Sequence, residues 1–161
     1  MKEQTTPLGH SERERLLARI KALEEQLEQR GQQEEQLRFL LEYISDALVI
    51  IDANGCQRYV SPGAERITGF PAAELQGRTI DTLIHPDDLD RVLTAWNEVL
   101  QCPDRTVTVR YRHIHQTRHW VHSEAIAQNH LGNPAIKGVI ATVRDISRQV
   151  QAEQMLRQHQ E

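Results

Sequence analysis

Two interleaved ladders of aliphatic residues constrain the first third of this chain more than any other feature. Leu16, Leu23, Leu37 and Ile44 recur at multiples of seven, and Ile20, Leu27 and Leu41 form a second ladder three or four positions away. A repeat of that period is the seam of a helix that packs along another helix. The surrounding residues agree, since after Gly9 the segment is rich in Glu, Gln, Arg and Leu and almost free of β-branched residues. Helix is therefore predicted over residues 11–44, with Ser11 and Glu14 as a capping box, after a disordered start over residues 1–10. Ile20, Leu27, Glu34 and Leu41 occupy the a positions, and Leu16, Leu23, Arg30, Leu37 and Ile44 the d positions. Arg30 and Glu34, beside Gly31, place charge inside the seam and weaken its middle. The expected assembly is a parallel homodimer; a single amphipathic helix lying on its own domain is the alternative.

From Asp46 the period changes. Ala47-Leu-Val-Ile-Ile51 reads as a buried strand, Asp52-Ala-Asn-Gly55 as a turn, and Gln57-Arg-Tyr-Val60 as the returning strand of a hairpin. Ser61-Pro62 supplies an N-cap and a first-turn proline for a short helix that ends at Gly69, and Ala72 to Leu75 makes another turn. His85-Pro-Asp-Asp88 opens a longer helix with Leu89, Val92, Leu93, Trp96, Val99 and Leu100 on one face, its acids read as first-turn charges. Three strands follow: Thr106 to Ile114, Arg118 to Gln128 and Ile136 to Arg144, the first two joined by a two-residue turn at Gln116-Thr117. Asp145 then caps a helix that runs to the end of the sequence. The order implies an α+β domain over residues 45–147, a five-stranded antiparallel sheet with short helices on one face, and residues 148–161 as the start of a further helix.

Several function classes are disfavoured by composition. The net charge is −4 and the sequence pI about 6.1, so no basic excess suits a nucleic-acid backbone. The longest apolar run, Ala47–Ile51, is far shorter than the roughly 18 residues of a membrane span, and the opening Met-Lys-Glu-Gln carries no secretory signal. Cys56 and Cys102 have no zinc or redox spacing, which fits a reducing compartment. A soluble, cytoplasmic chain is the expectation. No nucleophile elbow, phosphate-cradling loop, kinase or cyclase motif is present; Asp87, Asp88 and a set of Ser61, His85 and Asp81 are the best catalytic candidates, and none has a motif behind it. His113, His115, His119 and His122 cluster around one hairpin. With the two-residue turn, His119 projects from the face opposite the other three, and no Cys or carboxylate completes a tetrahedral site. No metal site is assigned, although such a cluster could sense protons.

Taken together in order, Ala47-Leu-Val-Ile-Ile-Asp with Gly55, Tyr59-Val-Ser-Pro-Gly-Ala-Glu-Arg-Ile-Thr-Gly-Phe70, Leu75-Gln-Gly-Arg78, His85-Pro-Asp-Asp88, Arg110-Tyr-Arg112, His119-Trp-Val121 and Arg144-Asp-Ile-Ser147 resemble the PAS sensory domains of cytoplasmic bacterial signalling proteins. The resemblance covers about Leu37 to Gln154. It departs at Ser61, where the family often has Asn, and at His115-Gln116, where an Asp-Gly turn is usual. The resemblance implies a PAS fold flanked by a coiled-coil helix and a C-terminal signalling helix. The family's flavin-photosensing branch carries its reactive cysteine in a Gly-Arg-Asn-Cys segment; here the residues are Gly77-Arg-Thr-Ile80, so cysteinyl-flavin photochemistry is excluded. Haem is disfavoured because Pro86 to Gln101 contains no histidine; the cofactor, if any, is open.

The expected function is a non-catalytic sensory and dimerisation module, with a histidine kinase or diguanylate cyclase domain downstream in the same polypeptide. A cofactor- or metal-dependent sensor using the hairpin histidines, and a stand-alone interaction scaffold, are the alternatives. A cue would pass through Arg144, Asp145 and Ile146 to the outgoing helix. Tyr59, Ile67, Ile80, Leu83, Leu93, Trp96, Tyr111 and Ile140 are the candidate pocket where helices meet sheet, or else a filled core.

Overall fold

The computed structural model describes residues 9–160; the expected disordered start lies almost wholly outside them. Close contacts divide the chain into one unit over residues 1–40 and another over residues 41–161.

The first unit is built from α1 (His10–Tyr43). It starts one residue ahead of Ser11, and Gly9 closes its first turn by accepting from the Glu12 and Arg13 amides through its carbonyl. The capping box is not made: Glu14 pairs with His10 at 3.1 Å. None of the residues of α1 is buried. Leu16, Ile20, Leu23, Leu27 and Leu37 are each about half exposed or more in the single chain.

In the second unit, β1 (Ala47–Ile51), β2 (Gln57–Val60), α2 (Pro62–Thr68), α3 (Ala72–Leu75), a 3-10 turn (Pro86–Asp88), α4 (Leu89–Gln101), β3 (Val107–Ile114), β4 (Trp120–His130), β5 (Gly138–Asp145) and α5 (Ser147–Gln158) follow in order. The sheet order is β2-β1-β5-β4-β3, every neighbour antiparallel. This is the five-stranded α+β domain expected. β1 alternates buried and half-buried residues along its length. Ala47, Val49 and Ile51 therefore share the inner face with Val139 and Ala141, and Ile67, Leu75 and Val99 pack on it from α2, α3 and α4.

Local chemistry explains most boundaries. The β1–β2 turn is held by Asp52, whose carboxylate accepts from the Asn54 and Cys56 amides while Gly55 takes φ 82°. α2 ends at Gly69 with φ 75°, and a Cβ there would lie 2.6 Å from the His115 ring, so both the conformation and the space demand glycine. Ser61 precedes α2 as expected, but its hydroxyl does not cap the helix. It accepts instead from the Leu48 amide at 2.8 Å, tying α2 to β1. α5 closes at Gln158 rather than running on, with the His159 amide bonded back to the Met155 carbonyl.

The β3–β4 turn differs from the expectation. The chain turns through three residues, with Arg118 at φ 64°, the Arg118 amide donating to the His115 carbonyl and the His115 amide to the His119 carbonyl. A turn followed by one left-handed residue is the usual three-residue hairpin loop. The added residue shifts the register to Ile114 opposite Trp120, His113 opposite Val121 and Arg112 opposite His122. A one-residue slip moves each side chain to the other face, so His119 joins His113 and His115, and His122 is the one left on the other side.

Candidate functional site

Inside the domain two adjoining cavities lie between sheet and helices. The larger, about 130 Å³, is bounded by Ile80, Val92, Ala95, Trp96, Val99 and Tyr111, with Ala125, Ala127 and Ala141 forming its floor. The floor follows from register. Ala127 pairs with Ala141 on β5 and with Val107 on β3, and Ala125 pairs with Val143 and Val109, so small residues stand side by side under α4 where larger ones would fill the space. Gln57, Trp96 and Tyr111 supply the only polar side-chain atoms of this lining. Burial pushes the Tyr111 phenol up in pKa, so it stays a neutral donor or acceptor. The second cavity, about 80 Å³, is bounded by Ile67, Leu75, Leu83 and His113, and shares Ile80 and Tyr111 with the first.

Of the pocket residues expected from sequence, Ile67, Ile80, Leu83, Trp96 and Tyr111 line these cavities. Tyr59 and Ile140 do not. Both pair with Ile50, so the pleat sends them to the face opposite Val49 and Ile51. Leu93 lies on α4 but is 38% exposed, turned from the side that carries Val92 and Trp96. The alanines of the floor are not among the pocket residues expected from sequence; their alternation along β4 is a signal in the sequence, but it becomes a cavity only through the register.

The hairpin histidines do three different jobs. His113 is buried, its Nε2 facing the Ile67 carbonyl at 3.4 Å and its Nδ1 facing the Ser123 hydroxyl at 3.1 Å. Loss of water lowers its pKa and favours the neutral ring. His115 and His119 stack with centroids 4.6 Å apart, and the Thr117 hydroxyl lies 2.8 Å from the Nδ1 of each. His122 faces the other way and contributes through its backbone. Among the described residues no three His, Cys, Asp or Glu side chains converge on a metal position.

Asp88 is not the solvated first-turn charge expected. It is 3% exposed, and its carboxylate accepts from Arg112 at Nε, Nη2 and the backbone amide, at 2.9, 2.9 and 2.8 Å. Arg91 adds a contact at 3.0 Å. The Arg112 hydrogen bonds hold the Asp88 carboxyl far below the usual carboxylate range, against the opposing effect of burial. The pair joins α4 to the edge strand β3. The other catalytic candidates are separately engaged: Ser61 with the Leu48 amide, Asp81 with the Thr79 hydroxyl, and His85 through Nδ1 with the Asp87 amide.

Arg144, Asp145 and Ile146 meet where β5 passes into α5. Ile146 is buried, and its amide donates to the His122 carbonyl at 2.8 Å. The Ser147 hydroxyl accepts from the His122 amide at 3.3 Å, and the Asp145 carboxylate accepts from the Ser147 amide at 2.9 Å. Arg144 reaches Asp46, just ahead of β1, at 3.1 Å. Within α5, Glu153 lies 3.6 Å from Arg110 on β3. The first turn of α5 is therefore pinned to β4 next to the cavity floor.

The pattern of the PAS fold matches residues 57–143, more than half of the chain. A sensory box histidine kinase/response regulator from Burkholderia thailandensis E264 is 28% identical, with TM-score 0.59, over 76% of this chain and 95% of that one. The PAS domain of a Colwellia psychrerythraea protein is 21% identical, also with TM-score 0.59, covering 71% and 97%. White collar 2 protein of Neurospora crassa is 29% identical over 92 residues, 57% of this chain. The chain spans only 17% of that relative's length. No described helix is long and apolar enough to cross a membrane.

Proposed function

This chain belongs to the PAS fold family, and we propose that it serves as the non-catalytic sensory and dimerisation module of a bacterial, cytoplasmic signal-transduction protein whose kinase or cyclase domain follows α5. The observation that carries the reading is the pair of hydrogen bonds at His122, whose carbonyl accepts from the Ile146 amide and whose amide donates to the Ser147 hydroxyl. Three residues further along β4, at Ala125, begins the alanine floor of the larger cavity. A molecule entering the cavity beneath α4 contacts Ala125 and Ala127 on β4 and Trp96 on α4, and any movement of β4 reaches α5 through the His122 backbone. Two states of comparable stability are required, and a small packing change then selects between them. The B. thailandensis sensory box histidine kinase supports the kinase form of the output.

Size narrows the cue. A volume of about 130 Å³ is close to that of an engineered apolar cavity that binds benzene (~150 Å³) and well under the roughly 300–1,000 Å³ of ordinary cofactor sites. A small apolar molecule with at most one or two polar atoms suits it better than a flavin or haem. The hairpin histidines are a weaker basis for a metal-dependent sensor, because His113 is committed to Ser123 and Ile67 and His122 lies on the opposite face. Benzene titration followed by hydrogen exchange tests the proposal: amide protection over residues 146–158 is expected to change several-fold in the native chain, and not in Ala127→Leu, which fills the cavity. Binding that leaves α5 unchanged overturns transmission through His122.

A further inference from the structure

The seam of α1 reads the same in both directions about Gln32. Leu23 lies as far before residue 32 as Leu41 lies after it, Leu27 mirrors Leu37, and Arg30 mirrors Glu34, whereas Ile44, the mirror of Ile20 and expected in the seam, stands just past the end of α1 at Tyr43. In each of these pairs an a position answers a d position, the layering of two helices that run in opposite directions. We infer that α1 pairs with α1 of a second copy antiparallel, centred on Gln32, so that Arg30 of each chain faces Glu34 of the other. This rests on the proposed self-association and specifies its orientation against the parallel arrangement expected from sequence.

The charges decide between the two orientations. A parallel pair places Arg30 on Arg30 and Glu34 on Glu34 in successive layers, and like charges held in a partly desolvated seam repel. The antiparallel pair converts the same four side chains into two opposite-charge layers, flanked on both sides by aliphatic ones. The next positions outward agree. Glu24 and Arg38 both flank the seam at e, and antiparallel pairing about Gln32 sets each beside the other across the interface, while Gly31 meets Gly31 where close approach is needed. The arrangement is isologous, each contact occurring twice about a twofold axis at Gln32. It also engages side chains that α1 leaves open: Leu23, Leu27 and Leu37 are 49%, 67% and 58% exposed, and the stretch from residue 23 to residue 41 holds six layers of two side chains.

The orientation is testable by cysteine pairing in the full chain, with Cys56→Ser and Cys102→Ser removing the native thiols. A parallel dimer brings position 27 against position 27, whereas the antiparallel one separates them by ten residues, about 15 Å along the axis, beyond the ~7 Å Cα reach of a disulfide. Leu27→Cys and Leu37→Cys are co-expressed, one of them carrying a short tag so that the mixed species is resolved, and oxidised. The mixed disulfide is expected to exceed either same-variant disulfide at least tenfold. A Leu27→Cys chain that crosslinks to itself as readily overturns the inference in favour of the parallel coil. A dimer by sedimentation with no disulfide of any kind also overturns it, and leaves the sensory reading standing. A chain that sediments as a monomer overturns both this pairing and the dimerisation role.

Discussion

The α1 helix and the sheet domain carry similar kinds of side chain and use them oppositely. The domain turns Val49, Ile51, Val99, Val139 and Ile67 inward until each is at most 7% exposed. In α1 no residue is buried, although leucine recurs along it. An isolated helix gains little from propensity alone, and most helical stability comes from covering an apolar face. The domain therefore holds its stability within one chain, while α1 has no covered face in the single chain, and under the proposed pairing its stability would depend on concentration.

That contrast can be broken from the domain side first. Asp88→Ala removes a buried carboxylate with four donors around it and leaves Arg112 without its partner. A loss of about 3 kcal/mol, the lower end for a broken buried pair because Arg112 and Arg91 remain partly in water, should lower the melting temperature by on the order of 10 °C. Scanning calorimetry at two protein concentrations should give the same shift at both. A smaller effect belongs to α1. Leu27→Ala should weaken self-association by about 2–3 kcal/mol, a rise of roughly 30- to 150-fold in the dimer dissociation constant by sedimentation equilibrium, while the domain's unfolding transition stays in place. If that transition moves by as much as it does in Asp88→Ala, the two regions do not have separate stabilities.

The smallest effect concerns pH. His113 has a folded pKa below its unfolded value of about 6.5, so the unfolded chain binds the proton more readily. Its contribution is present above the unfolded pKa and is lost as pH falls below it toward the depressed folded value. The urea midpoint of the native chain should drop between pH 7.5 and pH 5 by more than that of His113→Gln, and an equal drop in both excludes His113 as the cause. Between pH 7.5 and pH 5 the depressed Asp88 carboxyl stays ionised and His113 is the buried group that responds, whereas the α1 seam contains no histidine.

Much of this molecule was readable in advance wherever one local rule decided the outcome. The β1–β2 hairpin followed from the apolar run Ala47–Ile51 and the Asn54-Gly55 turn, the end of α2 from Gly69, and the five strands from their turn signals. What escaped depended on the distance between elements. Arg118 gave no sign that it would adopt a left-handed backbone, and with that went the register of the β3–β4 hairpin and the sorting of its histidines. Asp88 looked like a helix-start charge because its partner, Arg112, is on a strand 24 positions away. Tyr59 and Ile140 were apolar enough for a pocket, but only their pairing with Ile50 shows which way they point. The cavity itself comes from small residues meeting across strands, which no single segment announces.

The ion pair between Arg144 and Asp46 has a mechanical meaning. Asp46 precedes β1 and Arg144 is near the end of β5, and the two strands are antiparallel neighbours whose first rung is Ala47 opposite Val143. A pull that separates these two points does not shear the whole ladder at once. It first opens one solvent-exposed ion pair, worth at most about 1 kcal/mol, and then peels the β1–β5 hydrogen bonds one rung at a time from that end. Tension applied between these two points is thus met rung by rung, beginning at the step that leads directly into Asp145 and Ile146.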